Sequence, residues 1–288
     1  MTISEFMNYI AKEKRFSIHT QIAYKGDLEA FSAFVSQEFD VEIIDVNSKM
    51  VRNWFSAMLE LDLEPRTVRR KASALRSFYK YCIKIGELKS SPLESLVMPK
   101  MAKRLPKFVE EKNLLGYLND VFQEAAPEEL QERFVVELFY NTGIRLSELI
   151  ELKVSDVDLN NLQLKVLGKR NKERLIPFSL LFSETIKNYL SYRNISSDYL
   201  VCTPKGGKVY PKYVYRLVNK CLDRISTVKQ KSPHVLRHSF ATHMLNNGAE
   251  LNAIKEVLGH ANLSATEVYT HNSLEKIKSV YKQAHPRA

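Results

Sequence analysis

Five stretches of the C-terminal half carry side chains suited to handling an anionic ester. In Asn141-Thr142-Gly143-Ile144-Arg145-Leu146-Ser147-Glu148-Leu149, an arginine follows a glycine of the kind that ends helices. Glu148, three residues on, can orient that guanidinium if the turn is helical, although a plain surface ion pair accounts for the pattern equally well. In Gly168-Lys169-Arg170-Asn171-Lys172, Lys169 stands at the tip of an expected hairpin. Loop-tip lysines are usually only solvated, but a cationic tip can also enter a DNA groove and supply a proton. In Ser232-Pro233-His234-Val235-Leu236-Arg237-His238, His234 and Arg237 share one face at the start of a helix. Free N–H groups and the helix dipole there add to an anion site. Leu258-Gly259-His260 places a histidine after a second helix-ending glycine, and Val268-Tyr269-Thr270-His271 offers a tyrosine, one of 14, for which core packing is the default.

A metal site competes for the same histidines. His234 and His238 have the i, i+4 spacing of zinc helices, with His243 nearby. The glutamate of H-E-x-x-H is replaced by Val235, and Arg237 would repel a dication, so neither a metal nor another cofactor is expected. The three cysteines, Cys82, Cys202 and Cys221, are far apart and lack C-x-x-C spacing. Reduced, buried thiols in a cytoplasmic protein are the expectation.

The elements that must position these residues follow from apolar periodicity. Ile3, Phe6, Met7 and Ile10 mark a first helix; Ser17 can cap a second striped by Tyr24, Leu28, Phe31 and Val35; Met50, Trp54, Phe55 and Met58 line a third. A fourth opens at Pro65 and stops at Gly86, with Leu75, Phe78, Tyr79 and Ile83 as its apolar side. Farther on, Leu114, Leu115 and Leu118 mark one helix, and Phe134, Val135, Leu138 and Phe139 mark another that ends at Gly143. Leu162-Gln163-Leu164-Lys165-Val166 alternates and is answered by Arg174-Leu175-Ile176-Pro177, a β-hairpin. Residues 179–192, 211–225, 234–246, 250–258 and 274–283 read as helices. The fold class is mainly α in two domains: a helical bundle at 1–98, a basic linker at 99–107, and an α+β domain with a small antiparallel sheet at 108–288.

Composition narrows the partner. The chain has 288 residues, 44% hydrophobic, with 9 Gly and 10 Pro, which excludes disordered and low-complexity architectures. No apolar run approaches the ~20 residues of a membrane span, and Met1-Thr2-Ile3-Ser4-Glu5-Phe6 has no signal-peptide character, so no membrane role is expected. The net charge of +10 is unevenly spread. From Pro65 to Lys89 stand eight cations against one anion, whereas residues 1–63 hold six cations and ten anions. That concentration on one helix points to a phosphate-tracking or groove-entering element, with Arg66, Arg69, Arg70, Arg76 and Lys80 as its DNA contacts.

Each motif alone is weak, but their order is specific. Thr142-Gly143-Ile144-Arg145-Leu146-Ser147-Glu148-Leu149, Gly168-Lys169-Arg170-Asn171-Lys172-Glu173-Arg174, Pro233-His234-Val235-Leu236-Arg237-His238, Leu258-Gly259-His260 and Val268-Tyr269-Thr270-His271 together resemble the tyrosine site-specific recombinases of the Xer type. The ending His285-Pro286-Arg287-Ala288 is similar too, and the likeness spans nearly the whole chain. One departure is Arg170, where the family usually has Gly; it is strained if the turn needs a positive φ, and with Lys172 it adds phosphate contacts.

The resemblance implies an N-terminal SAM-like core-binding bundle and a catalytic domain that cuts and rejoins DNA through a 3′-phosphotyrosine and a Holliday junction. Arg145 and Arg237 would clamp the phosphate, which suits bidentate guanidinium forks that stay charged at working pH. Tyr269 would be the nucleophile, His234 its base, His260 a phosphate hydrogen-bond donor and Lys169 the acid for the departing 5′ oxygen. The implied partners are double-stranded DNA and a tetramer, of this chain alone or with a related recombinase, and a DNA translocase is a further candidate. C-terminal helices would be exchanged between subunits, with Leu274, Ile277 and Tyr281 entering a partner's pocket; packing on their own domain is the alternative. Dimer resolution is the expected task. A mobile-element integrase, a type IB topoisomerase and a non-catalytic DNA-binding regulator are the rival readings.

Overall fold

The computed structural model describes residues 2–61, 63–94, 96, 108–119, 127–168, 173–193, 195–226, 231–259 and 271–288. The chain divides into two compact units, Met1–Arg104 and Leu105–Ala288; the expected linker at 99–107 lies outside the described residues.

The first unit is built of α1 (Ile3–Lys12), α2 (Ile18–Phe39), α3 (Ser48–Glu60) and α4 (Pro65–Lys84). Each start is specified locally. Thr2 and Glu5 form a reciprocal capping box, Ser17 accepts from the Thr20 N–H, Asn47 accepts from those of Lys49 and Met50, and Pro65 occupies the first turn of α4. The core gathers Phe6, Ile10, Leu28, Phe31, Val35, Trp54, Leu75 and Phe78, with the Phe31 and Trp54 rings 4.7 Å apart. Buried Tyr79 satisfies its hydroxyl by donating to the Ile43 carbonyl at 2.6 Å.

The apolar side of α4 differs from expectation at its last turn. Ile83 is exposed, and Cys82 is buried in its place beside Leu75 and Tyr79. At about 100° per residue, Cys82 points within about 20° of Leu75, whereas Ile83 is turned about 80° away.

The second unit is organised around α6 (Pro127–Thr142), which packs against α8 (Leu180–Tyr192), α9 (Pro211–Ile225) and α10 (Pro233–Asn246). Around them lie α5 (Glu111–Asn119), α7 (Leu146–Glu151), α11 (Leu251–Leu258) and α12 (His271–Ala284). Phe134 on α6 stacks on Tyr189 of α8 with ring centroids 3.9 Å apart. A three-stranded antiparallel sheet in the order β1 (Val157–Asp158), β2 (Gln163–Leu167), β3 (Glu173–Pro177) contains the expected hairpin. Two short elements, α7 and β1, carry too little periodicity to stand out in sequence.

The register pairs Leu164 with Ile176 and Val166 with Arg174. Leu164, Val166 and Ile176 are buried, so alternation sends Arg174 to the core face, where it too is buried. An arginine thus takes a pleat position that ordinarily holds an apolar side chain.

At the C-terminus, Ile277 and Tyr281 of α12 are buried in the core of their own unit, in a helix packed on α10, α11 and β3. In the single chain these side chains pack in cis, the alternative to a partner-facing stripe, and the side chain of Leu274 lies outside the described residues. The tail adds to that anchoring. Arg287 reaches the buried Glu137 carboxylate at 2.9 Å and Asn119 at 2.7 Å. His285 donates to the Tyr140 carbonyl at 3.1 Å and accepts from the Arg287 N–H; burial holds its imidazole down at about 4, and therefore neutral. The three cysteines are buried without disulfides, and no described helix is long and apolar enough to cross a membrane.

Candidate active site

Arg145, the N-cap residue of α7, is aimed by what precedes it. Gly143 ends α6 with φ +57°, and a Cβ there would stand 2.7 Å from Phe240 and 2.9 Å from Leu258. Only glycine gives the chain room to turn at this point. The Arg145 N–H and Nη1 both donate to Glu148, each at 2.8 Å, and Nη2 donates to the Gly259 carbonyl at 2.6 Å. Glu148 is 4% exposed, so the surface ion-pair alternative fails: this is a buried carboxylate holding a half-exposed arginine.

Arg237 comes from the first turns of α10. Its Nη1 donates to the Gly143 carbonyl and its Nη2 to the Leu258 carbonyl at 2.6 Å. A third guanidinium, not expected from the sequence, joins them. Arg174 of β3 grips Glu148 with Nη1–Oε1 at 2.5 Å and Nη2–Oε2 at 2.8 Å, and its Nε donates to the Val257 carbonyl at 3.2 Å. Three arginines from three elements thus take up three successive carbonyls, Val257, Leu258 and Gly259, at the end of α11. Such carbonyls have no partner within their own helix, and their partial negative charge suits cations. Arg174 was legible in one respect only, as a charged residue in the inward phase of a strand.

The electrostatics follow from three cations around one carboxylate. Burial raises Glu148, but hydrogen bonds and charge from Arg174, and then hydrogen bonds from Arg145, outweigh it and hold the group at about 2. Burial, and then the charges of Arg145 and Arg174, pull Arg237 down to about 9, with Glu148 opposing. A positive surplus held partly away from water is an environment that takes an anion.

The remaining expected residues are placed as follows. His234 is exposed on the first turn of α10. His243 does not turn toward it but is buried, its Nδ1 sharing a 2.8 Å hydrogen bond with the Tyr140 hydroxyl. Lys169, Arg170, Lys172, His260 and Tyr269 lie outside the described residues. On α4, Arg66, Arg69, Arg76 and Lys80 are exposed. Arg70, exposed as well, pairs its guanidinium with Asp27 of α2, which is 2% exposed and also receives Lys71 at 3.2 Å. A carboxylate buried that deeply requires cations beside it, so Arg70 has a structural task.

The phage integrase family model matches residues 107–276, and that of the phage integrase N-terminal SAM-like domain matches residues 3–86. The tyrosine recombinase XerC of Staphylococcus saprophyticus subsp. saprophyticus is 40% identical over 290 residues, covering 98% of this chain and 96% of that protein. The chain belongs to the phage integrase family. XerC of Staphylococcus carnosus is likewise 40% identical, over 99% of this chain and 98% of its own length. Within the family, this chain is a site-specific tyrosine recombinase of the Xer type, an enzyme of DNA strand breakage and rejoining. Its fold is that of XerH site-specific recombinase bound to palindromic difH substrate in a post-cleavage complex, with TM-score 0.71 and 22% identity over 96% of this chain and 83% of that one. The Tn1549 transposon integrase in complex with transposon right end DNA matches with TM-score 0.72 and 18% identity over 96% and 98%.

Proposed function

We propose that the arginine cluster at the end of α11 holds the scissile phosphate of a double-stranded DNA site and that Tyr269 attacks it. The observation that carries this reading is the imbalance of charge: Arg145 and Arg174 share a single carboxylate, Glu148, and Arg237 adds a third cation held on neutral carbonyls, leaving a cationic place for a phosphodiester. Arg145 and Arg237 retain donors for the non-bridging oxygens, and each such clamp contributes about 3 kcal/mol to the transition state. A phenol, with a reference pKa near ~10, needs a base to become a nucleophile, and that of Tyr269 passes its proton to His234 as its oxygen bonds to phosphorus. The 5′ oxygen leaves with a proton from Lys169, and His260 steadies the phosphate by hydrogen bonding. The 3′-phosphotyrosyl ester conserves the bond energy, so a different 5′ hydroxyl can reverse the step without ATP.

In this reading residues 1–98 form the core-binding unit, 99–107 the basic linker and 108–288 the catalytic unit. The chain acts in the cytoplasm as a tetramer, alone or with a related recombinase, on chromosome or plasmid dimers; near full-length likeness to proteins named XerC supports that task. The test uses a randomised pool of nicked duplexes from which the wild type captures its own substrate covalently. Tyr269→Phe is expected to bind the captured duplex and to form no denaturation-resistant adduct. An adduct at the wild-type level refutes the assignment.

A further inference from the structure

Arg174 lies behind the proposed clamp. Its side chain is 5% exposed and is taken up by Glu148 and the Val257 carbonyl. The four hydrogen bonds to Glu148 divide evenly: Oε1 accepts from the Nη1 groups of Arg145 and Arg174, and Oε2 from the Arg145 N–H and Arg174 Nη2. Both oxygens are filled, and half of the filling comes from Arg174. Arg145 has two anchors, Glu148 and the Gly259 carbonyl, and Arg174 supports both. It grips the first directly and steadies the second through Val257 and through contact with Gly259, where a Cβ would stand 3.0 Å from Arg174 Cδ and 3.1 Å from Nε.

Charge gives this arrangement a consequence. A buried carboxylate draws in whatever cation is near. With Arg145 as its sole partner, Glu148 would take both arms of that guanidinium and cancel the charge meant for DNA. With Arg174 supplying the bidentate partner, Arg145 gives Glu148 one arm and keeps its charge uncancelled. Resting on the function proposed above, we infer that Arg174 is a positioning residue: it neutralises Glu148 and braces the end of α11 so that Arg145 is left oriented and charged for the phosphate. A lysine cannot replace it, because a point charge makes neither the two parallel bonds to Glu148 nor the third to Val257.

The experiment compares wild type, Arg174→Met, Glu148→Gln and the double variant in the full chain, on the captured nicked duplex. Adduct formation at saturating DNA, DNA affinity and thermal melting are read for each. Both single variants are expected to slow adduct formation at least ~10-fold while affinity changes by less than about 2-fold, which is the signature of an interaction spent in the transition state. The double variant, with the charge balance restored but the brace still missing, is expected to be faster than the slower single one. A double variant no faster than the slower single one means a packing role and overturns the inference, as does an Arg174→Met protein that cleaves like wild type. If the wild type itself forms no adduct, or forms one that survives Tyr269→Phe, the underlying function has failed, and the inference with it. Should Arg174→Met not fold, Arg174→Gln takes its place in the same comparison.

Discussion

Arg237 and Leu258, on different helices, are joined by one hydrogen bond: Nη2 of the arginine donates to the main-chain carbonyl at 2.6 Å. With the second bond to the Gly143 carbonyl, it fixes the plane of the guanidinium before any phosphate arrives. The end of α6, the start of α10 and the end of α11 are thereby held on one side chain, and preorganisation of that kind is what an electrostatic catalyst needs.

Arg237→Lys removes this geometry while keeping a positive charge. Adduct formation should fall by about 10²–10³, with DNA affinity changed by less than about 3-fold, as read from adduct time courses and equilibrium binding. The pH profile should carry the same residue. With Arg237 held at about 9, below its ordinary 12.5, kcat/KM should decline as pH rises through about 9. At saturating DNA the bound phosphodiester favours the charged form, so kcat should persist to higher pH. For folding the sign is the opposite: charged Arg237 costs stability below about 9, and that cost lessens as the pH rises.

Gly259→Ala strikes where the backbone has φ +64° and Arg174 lies 3.0 Å from the new Cβ. Strain in the left-handed region and displacement of Arg174 should together cost about 1–2 kcal/mol, a drop of a few degrees in melting temperature. Because Gly259 carries the carbonyl that anchors Arg145, adduct formation should fall further than the melting shift alone explains.

On α4, exposed and tied cations should separate. Losing Arg76 and Lys80 to alanine should leave melting unchanged and flatten the dependence of log affinity on log salt by about 0.9 for each phosphate contact removed. Asp27→Asn should do the reverse: the salt slope holds while the first unit melts earlier, since Arg70 and Lys71 lose the buried charge that binds them to α2.

Amino-acid order alone determined much of this protein. The helices, their caps at Ser17 and Pro65, the hairpin and the glycines at 143 and 259 are local matters of periodicity and backbone permissiveness, written within a few residues of where they act. The ordered arginine, histidine and tyrosine motifs likewise pointed to the family before any contact was known. Tertiary structure decided what depended on distant partners. Arg70 is tied to Asp27, which is buried on another helix, and Ile277 and Tyr281 pack on their own unit, where α12 meets α10, α11 and β3. Arg174 became central because the pleat drives it into the core toward Glu148, 26 residues earlier in the chain. Burial and charge compensation act through space, so a residue's own neighbours in sequence carry no trace of which ion it will have to balance.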